Sequence, residues 1–164
     1  MLSLRTLMLA AIATIAAFAI PALTLASDAA EEETVYLTFK TNKGDIVMEL
    51  YPELAPITVE NFMTYASDGF FDGTLVHRLV PNLVIQGGGY TADGTEKPTR
   101  APIKNEWRNG LTNDRGTLSM ARTQAPDSAT SQFFINLKDN ASLDMPTAGR
   151  QPDYVKGAAY AVFG

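Results

Sequence analysis

From Val35 onward the apolar residues of this chain fall on alternate positions in one short stretch after another, and in only one segment does their spacing lengthen to three and four. A period of two sends neighbouring side chains to opposite faces of a strand, whereas a period near 3.6 gathers them on one face of a helix. In "VYLTFKT", Val35, Leu37 and Phe39 alternate with Tyr36, Thr38 and Lys40. "IVMELY" repeats the pattern through Ile46, Met48 and Leu50. "NKGD" lies between them with Gly44 free to take a positive φ, so the pair predicts a hairpin. The exception, "PELAPITVENFMTYASDG", places Val59, Phe62, Met63 and Ala66 on one helical face, with Thr58 as the expected cap and Gly69 as the stop.

Strand signals then return in "TLVHRLV" and "NLVIQGG", separated by Pro81, and again in "GTLSMA", "SQFFINL" and "YAVFG". The polar stretches over 90–113 and 139–158 are rich in Gly, Pro, Asn, Asp and Thr and read as loops. Many short strands, one helix and long irregular connections predict a mainly β chain. Its antiparallel sheet is expected to close into a barrel with the helix at its flank, since closure removes exposed edges.

The first residues follow a different logic. Arg5 precedes an almost purely apolar run from Leu7 to Leu25, and small residues come directly after it. A basic start, an apolar middle and a small-residue end predict a secretory signal peptide over 1–26, an acidic spacer over 27–33 and a single domain over 34–164. Cleavage after Ala26 or after Ala29 fits equally. The competing reading is an uncleaved anchor, because the run approaches the roughly 20 residues that span a bilayer. Pro21 interrupts the run and favours cleavage, after which no stable membrane insertion is expected. The expected location is periplasmic or secreted.

With 13 basic and 18 acidic residues, the chain is a poor match for nucleic acid or anionic lipid. It has no cysteine and one histidine, so neither disulfides nor a transition-metal site are expected.

That histidine sits in "LVHRLVPNLVIQGGG", from Leu75 to Gly89. A nucleophile-and-base reading of His77 would need a serine presented on a strand-turn-helix elbow, and no such motif is present. A phosphate cradle at Gly87 to Gly89 would need a helix to follow, but "TADGTEKPTRAP" cannot begin one. Strict alternation would put Leu75, His77 and Leu79 on one face of the strand and Val76, Arg78 and Val80 on the other. On these residues alone Arg78 is either a surface cation or a charge held beside an apolar pocket.

The longer wording decides more. "FFDGTLVHRLVPNLVIQGGGY", "GTLSMARTQAPDSATSQFFINLKDN" and "YAVFG", in that order, closely resemble the cyclophilins, the barrel-forming peptidyl-prolyl cis-trans isomerases, and above all their exported bacterial members. The resemblance runs from Val35 to Gly164. It implies an enzyme that accelerates X-Pro isomerisation during the folding of exported proteins, with proline-containing and unfolded exported polypeptides as partners and with no cofactor or metal. Such a reaction makes and breaks no bond other than amide resonance, a barrier of about 18–20 kcal/mol. Holding the proline ring and favouring the twisted amide is enough to lower it.

By the same match, Arg78 is the principal catalytic group, hydrogen-bonding the substrate and stabilising the prolyl nitrogen as it leaves conjugation. Gln86 binds the substrate backbone, Phe134 forms the floor of the proline pocket, and His77 supports the arginine. Ala121, Arg122, Gln132 and Leu143 fall at substrate-contacting positions. Four positions depart from the usual pattern: Val76 and Leu83 stand where phenylalanine is common, Val84 where methionine is, and Tyr160 where a histidine is. The expectation is a working pocket of altered affinity. Ser142 stands where many eukaryotic members have a cyclosporin-binding tryptophan, so weak cyclosporin binding is expected.

Family members normally continue past "VFG" through another strand, a second helix and a closing strand. The expectation is therefore a C-terminally truncated domain with an unpaired edge. A non-catalytic proline-binding or chaperone-like module is the alternative function.

Overall fold

The structure is a computed structural model, and it describes residues 35–144 and 159–164. The leader, the acidic spacer and residues 145–158 of the loop expected over 139–158 lie outside the described residues.

The predicted hairpin forms. Strand β1 (Val35–Thr41) pairs antiparallel with β2 (Gly44–Leu50) in unbroken register from Val35 opposite Leu50 to Thr41 opposite Gly44. Gly44 takes φ 118° at the turn, a value that costs a side-chain-bearing residue dearly. The alternation sends Leu37 and Phe39 inward and leaves Tyr36 in solvent.

Helix α1 (Pro56–Ser67) begins earlier than its apolar spacing suggests. Thr58 is therefore not its cap but lies inside the first turn, behind Pro56, whose missing N–H costs nothing there. The cap position is Ala55, which offers no side-chain acceptor. Glu106 fills the role from a distant loop, accepting from the Ile57 and Thr58 amides at 3.2 and 2.8 Å and from the Thr58 hydroxyl at 2.7 Å. A carboxylate at this end also meets the positive pole of the helix. Gly69, at φ 66°, follows the last turn as expected.

The second sheet has the order β3-β4-β6-β5, all antiparallel, from β3 (Thr74–Val80), β4 (Val84–Thr91), β5 (Leu118–Met120) and β6 (Phe133–Asn136). A short 3-10 turn, Ala141–Leu143, follows β6. "YAVFG" supplies a single bridge, Val162 with Ser119, rather than the expected strand. Its backbone nevertheless lies along β5, with Phe163 N donating to Leu118 O and Leu118 N to Gly164 O. Tyr51 N, just past β2, donates to Phe163 O.

The expected closure of the barrel is thus not realised by strand pairing among the described residues. The two sheets meet through these few hydrogen bonds beside β5, while β1 and β3 are outer strands of separate sheets. Along β3 the side chains of Leu75, Val76 and Leu79 are exposed.

Between α1 and the sheets lies the core. Met48, Leu50, Val59, Phe62, Leu118, Met120, Phe133 and Phe163 pack together there. Phe62 is in ring contact with Phe39, Phe71, Phe133 and Phe163 at centroid distances of 5.0–5.9 Å. Aromatic pairs at such distances add about 0.5–1.5 kcal/mol each beyond their burial.

Candidate active site

The turn joining β3 to β4 builds one side of the site. Val80 O accepts from Leu83 N across Pro81 and Asn82, and Asn82 takes φ 57°, the left-handed conformation that asparagine tolerates well. The Leu83 carbonyl is then fixed from behind by Leu137 N at 2.9 Å and Asn140 Nδ2 at 3.0 Å.

In β3 the register with β4 is irregular. Val76 lies opposite Gly87 and Arg78 opposite Gln86, so His77 is an extra residue without a partner, a β-bulge. A bulge re-aims the side chains that follow it, and this one breaks the strict alternation expected of the strand. His77 packs instead on the ring of Tyr90, centroids 4.7 Å apart. Partial burial, the largest influence, lowers its pKa below 6.5, and the neighbouring Arg78 charge acts in the same direction.

Arg78 Nη1 donates to Gln86 Oε1 at 3.1 Å, Gln86 Nε2 donates to Gln132 Oε1 at 2.9 Å, and Gln132 Nε2 donates to Glu96 Oε1 at 3.3 Å. The direction of this chain is set at both ends. Guanidinium can only donate and an ionised carboxylate can only accept, so each intervening amide has one orientation that satisfies both neighbours. Gln132 lies against Gly89, where an added Cβ would sit 2.6 Å from its Cγ. The neighbouring Gly88, at φ 84°, admits the Phe133 ring and the Ser131 carbonyl in the same manner.

A cavity of about 190 Å³ opens beside this chain, lined by Arg78, Leu83, Val84, Gln86, Ala121, Arg122, Phe134, Leu143 and Tyr160. Phe134 alternates with Phe133 along β6, so one ring faces the cavity and the next the core. Tyr160 packs edge-on against Phe134 at 5.4 Å, and its N–H donates to Leu143 O at 3.0 Å. Arg122 lies over the Tyr160 ring at 4.6 Å, its Nε donating to Ala159 O and its Nη1 to Thr123 O. Ala121 N donates to Gln132 O at 2.9 Å, which seats this segment against β6.

Of the residues singled out in the sequence, His77 and Gln132 are not in the lining. Gln132 stands one hydrogen bond behind Gln86, and His77 occupies the bulge before Arg78. Val76, a departure from the usual phenylalanine, is exposed and likewise outside the cavity.

Sequence reasoning missed Glu96, which ends the amide chain. It also missed a buried asparagine cluster behind the cavity. Asn113 Oδ1 accepts from Ser119 Oγ at 2.8 Å and from Asn136 Nδ2 at 3.2 Å, and Asn140 Nδ2 donates to Asn136 Oδ1 at 2.7 Å. Asn113 Nδ2 reaches Asp144 Oδ1 at 2.7 Å, next to Leu143. The only signal was the presence of Asn113 and Asn140 in polar stretches that read as loop, while Asn136 ends the predicted strand "SQFFINL".

Among the described residues no group of three or more His, Asp or Glu side chains is gathered as a metal site would require. What the arrangement can do is bind an apolar group on Phe134 and donate hydrogen bonds from an adjacent guanidinium to an acceptor beside that group. That is the chemistry of a cleft, on a mainly β domain, for a ligand with an apolar group next to a hydrogen-bond acceptor.

The comparisons agree on a narrower class. Residues 36–164 match the family model described as cyclophilin type peptidyl-prolyl cis-trans isomerase/CLD. The chain is 55% identical over 125 residues to a peptidyl-prolyl cis-trans isomerase of Acinetobacter baylyi, covering 76% of this chain and 62% of that protein. It is 49% identical over 127 residues to peptidyl-prolyl cis-trans isomerase B of Escherichia coli, covering 77% and 74%. In structure it resembles a cyclophilin-type isomerase of Cryptosporidium parvum determined in the presence of the dipeptide Ala-Pro. The TM-score is 0.61 and the identity 26%, over 79% of this chain and 76% of that one. The chain belongs to the cyclophilin-type peptidyl-prolyl cis-trans isomerase family. It spans just under two thirds of the length of the Acinetobacter relative.

Proposed function

We propose that this chain accelerates cis-trans isomerisation of X-Pro bonds, with Arg78 as the catalytic group, Gln86 as the anchor of the substrate backbone and Phe134 as the floor for the proline ring. The observation that carries the reading is the Arg78 guanidinium, oriented by Gln86 at the wall of a cavity floored by Phe134.

A planar X-Pro amide is held by resonance that its nitrogen lone pair supplies. Twisting the bond localises that pair on nitrogen, so a guanidinium N–H placed there binds the twisted state better than the planar one. Each factor of ten in rate needs only about 1.4 kcal/mol of such preference. The apolar lining of Leu83, Val84 and Phe134 displaces water that would otherwise solvate the planar, more dipolar amide. No proton is transferred. Val84, Ala121, Arg122, Leu143 and Tyr160 complete the binding wall, Gln132 aligns Gln86, and His77 supports Arg78 by occupying the bulge before it.

The physiological clients we propose are exported polypeptides in the periplasm or outside the cell, a reading supported by the leader-like residues 1–26. An NMR exchange experiment on an Ala-Pro peptide tests the activity. The parent is expected to broaden and merge the cis and trans resonances, and Arg78→Ala to lower kcat/KM by about 100-fold, the loss seen when one transition-state donor is removed. A folded parent that binds the peptide without accelerating exchange would make the non-catalytic module the correct function.

A further inference from the structure

The cavity carries an electrostatic bias that isomerisation by itself does not require. Among the described residues its lining contains two guanidinium groups, Arg78 and Arg122, and no carboxylate, although acids outnumber bases in the chain. Arg78 belongs to the amide chain. Among the described residues Arg122 is held by neutral partners: two backbone carbonyls, those of Ala159 and Thr123, and the face of Tyr160. The ion pairs among the described residues join Arg100 to Asp68 and Lys104 to Asp127, so neither cavity arginine has its charge matched there. Glu96, the nearest acid to the amide chain, stands behind Gln132 and outside the lining.

We infer that the cavity selects X-Pro segments carrying a carboxylate close to the proline, with Arg122 as the group that determines this specificity. The inference rests on the isomerase reading of the same site. Two features place the selected charge. Nε and Nη1 of Arg122 are engaged by carbonyls, which fixes the guanidinium plane, and Nη2 has no partner among the described residues. The group is also linked to the proline floor through one side chain, since Tyr160 touches both Phe134 and Arg122. Those two contacts amount to at most about three residues of extended peptide at roughly 3.4 Å each. The selected acid therefore lies immediately beside the proline or one or two residues away. A planar guanidinium held in place suits a carboxylate, to which Nη2 can donate a charge-assisted hydrogen bond.

The test compares peptides identical except for Glu, Gln or Lys at each of the three positions before the proline and each of the three after it. Exchange is measured by NMR with the full chain at about 0.1 M and at about 1 M salt, between which the Debye length contracts about threefold. For the best position, kcat/KM is expected to be about 3- to 5-fold higher with Glu than with Gln, the range of a partly exposed ion pair, and lowest with Lys. High salt is expected to shrink that ratio. Arg122→Gln is expected to bring the Glu-to-Gln ratio to about one whatever its absolute activity, and Arg122→Lys to keep most of it. A ratio of one in the parent at every position, with the Gln peptide still turned over, overturns the specificity and leaves the isomerase reading intact. A preference that survives in Arg122→Gln overturns the role of Arg122. If no peptide is accelerated, the isomerase reading fails and the inference with it.

Discussion

Arg78 and Gln86 face one another across the paired strands β3 and β4, with Nη1 donating to Oε1 at 3.1 Å, and the same glutamine donates onward to Gln132. Arg78 is thus held by a hydrogen-bonded chain whose direction is dictated at its far end by Glu96. Reversing the charge there tests whether the direction matters. With Glu96→Lys, a donor-only group faces Gln132, whose amide must turn, and the conflict passes along the chain until two donors oppose each other at Gln86 or Arg78. We expect kcat/KM to fall about tenfold, the value of one mispaired hydrogen bond, and about threefold for Glu96→Ala. The urea midpoint of either variant is expected to stay near that of the parent, because Glu96 is exposed. Unchanged kinetics in Glu96→Lys would mean that Arg78 alone orients the chain.

Gly88 and Gly89 are adjacent yet are expected to fail differently. An added Cβ at Gly89 meets only the flexible Gln132 side chain, so Gly89→Ala displaces that glutamine and lowers activity about tenfold with little loss of stability. At Gly88 the Cβ meets the Ser131 carbonyl and the Phe133 ring at 2.9 Å, on a backbone with φ 84°. Gly88→Ala is expected to cost about 2–3 kcal/mol in a urea titration. Equal losses of stability would show that Gln132 is not free to move.

Leu83 gives the cavity an aliphatic side chain in place of an aromatic one. Leu83→Phe adds ring surface to the cavity lining and is expected to lower KM about fivefold, roughly 1 kcal/mol, with kcat little changed. Saturation curves from the exchange experiment separate the two constants. A rise in KM would mean the enlarged ring fills the space the proline needs.

His77 is the chain's only histidine, so it is the only side chain whose ordinary pKa places its titration between about pH 5 and 8. Burial lowers its pKa in the folded protein below the 6.5 of the unfolded chain, hence the unfolded chain binds the proton more readily. The stability this residue contributes is complete above pH 6.5 and declines as the pH falls through 6.5 toward the lower folded value. Urea midpoints at pH 5 and pH 7.5 are expected to differ in that sense in the parent and to converge in His77→Gln. A midpoint that rises on acidification contradicts the assignment.

Local periodicity made the first hairpin and α1 legible from the sequence, because both are held by contacts close along the chain. Where distant segments intervene, the reading fell short. Thr58 resembled a cap, but the acceptor at that helix end is Glu106, and no local spacing foretells a carboxylate that arrives from a separate loop. The β3 pattern looked regular, yet the bulge at His77 arises from pairing with β4, where close packing around Gly87 to Gly89 sets the register. Closure of the barrel was inferred from strand count, whereas closure depends on how many backbone rungs the outer strands share, and "YAVFG" supplies few. The residues of the cavity lining were legible because they sit in long, distinctive wording. The buried asparagine cluster was not, since polar residues carry no period.

Phe133 and Phe134 stand back to back on β6, one in the aromatic core and the other in the cavity. The partition between the protein's interior and its binding cleft is therefore a single strand thick. Any loosening of the core, by heat or by a distant substitution near Phe62, is transmitted to the surface on which a proline would rest. Turnover becomes a gauge of core order: as temperature rises, catalysis is expected to decline before the protein unfolds, because the floor blurs while the strands still hold.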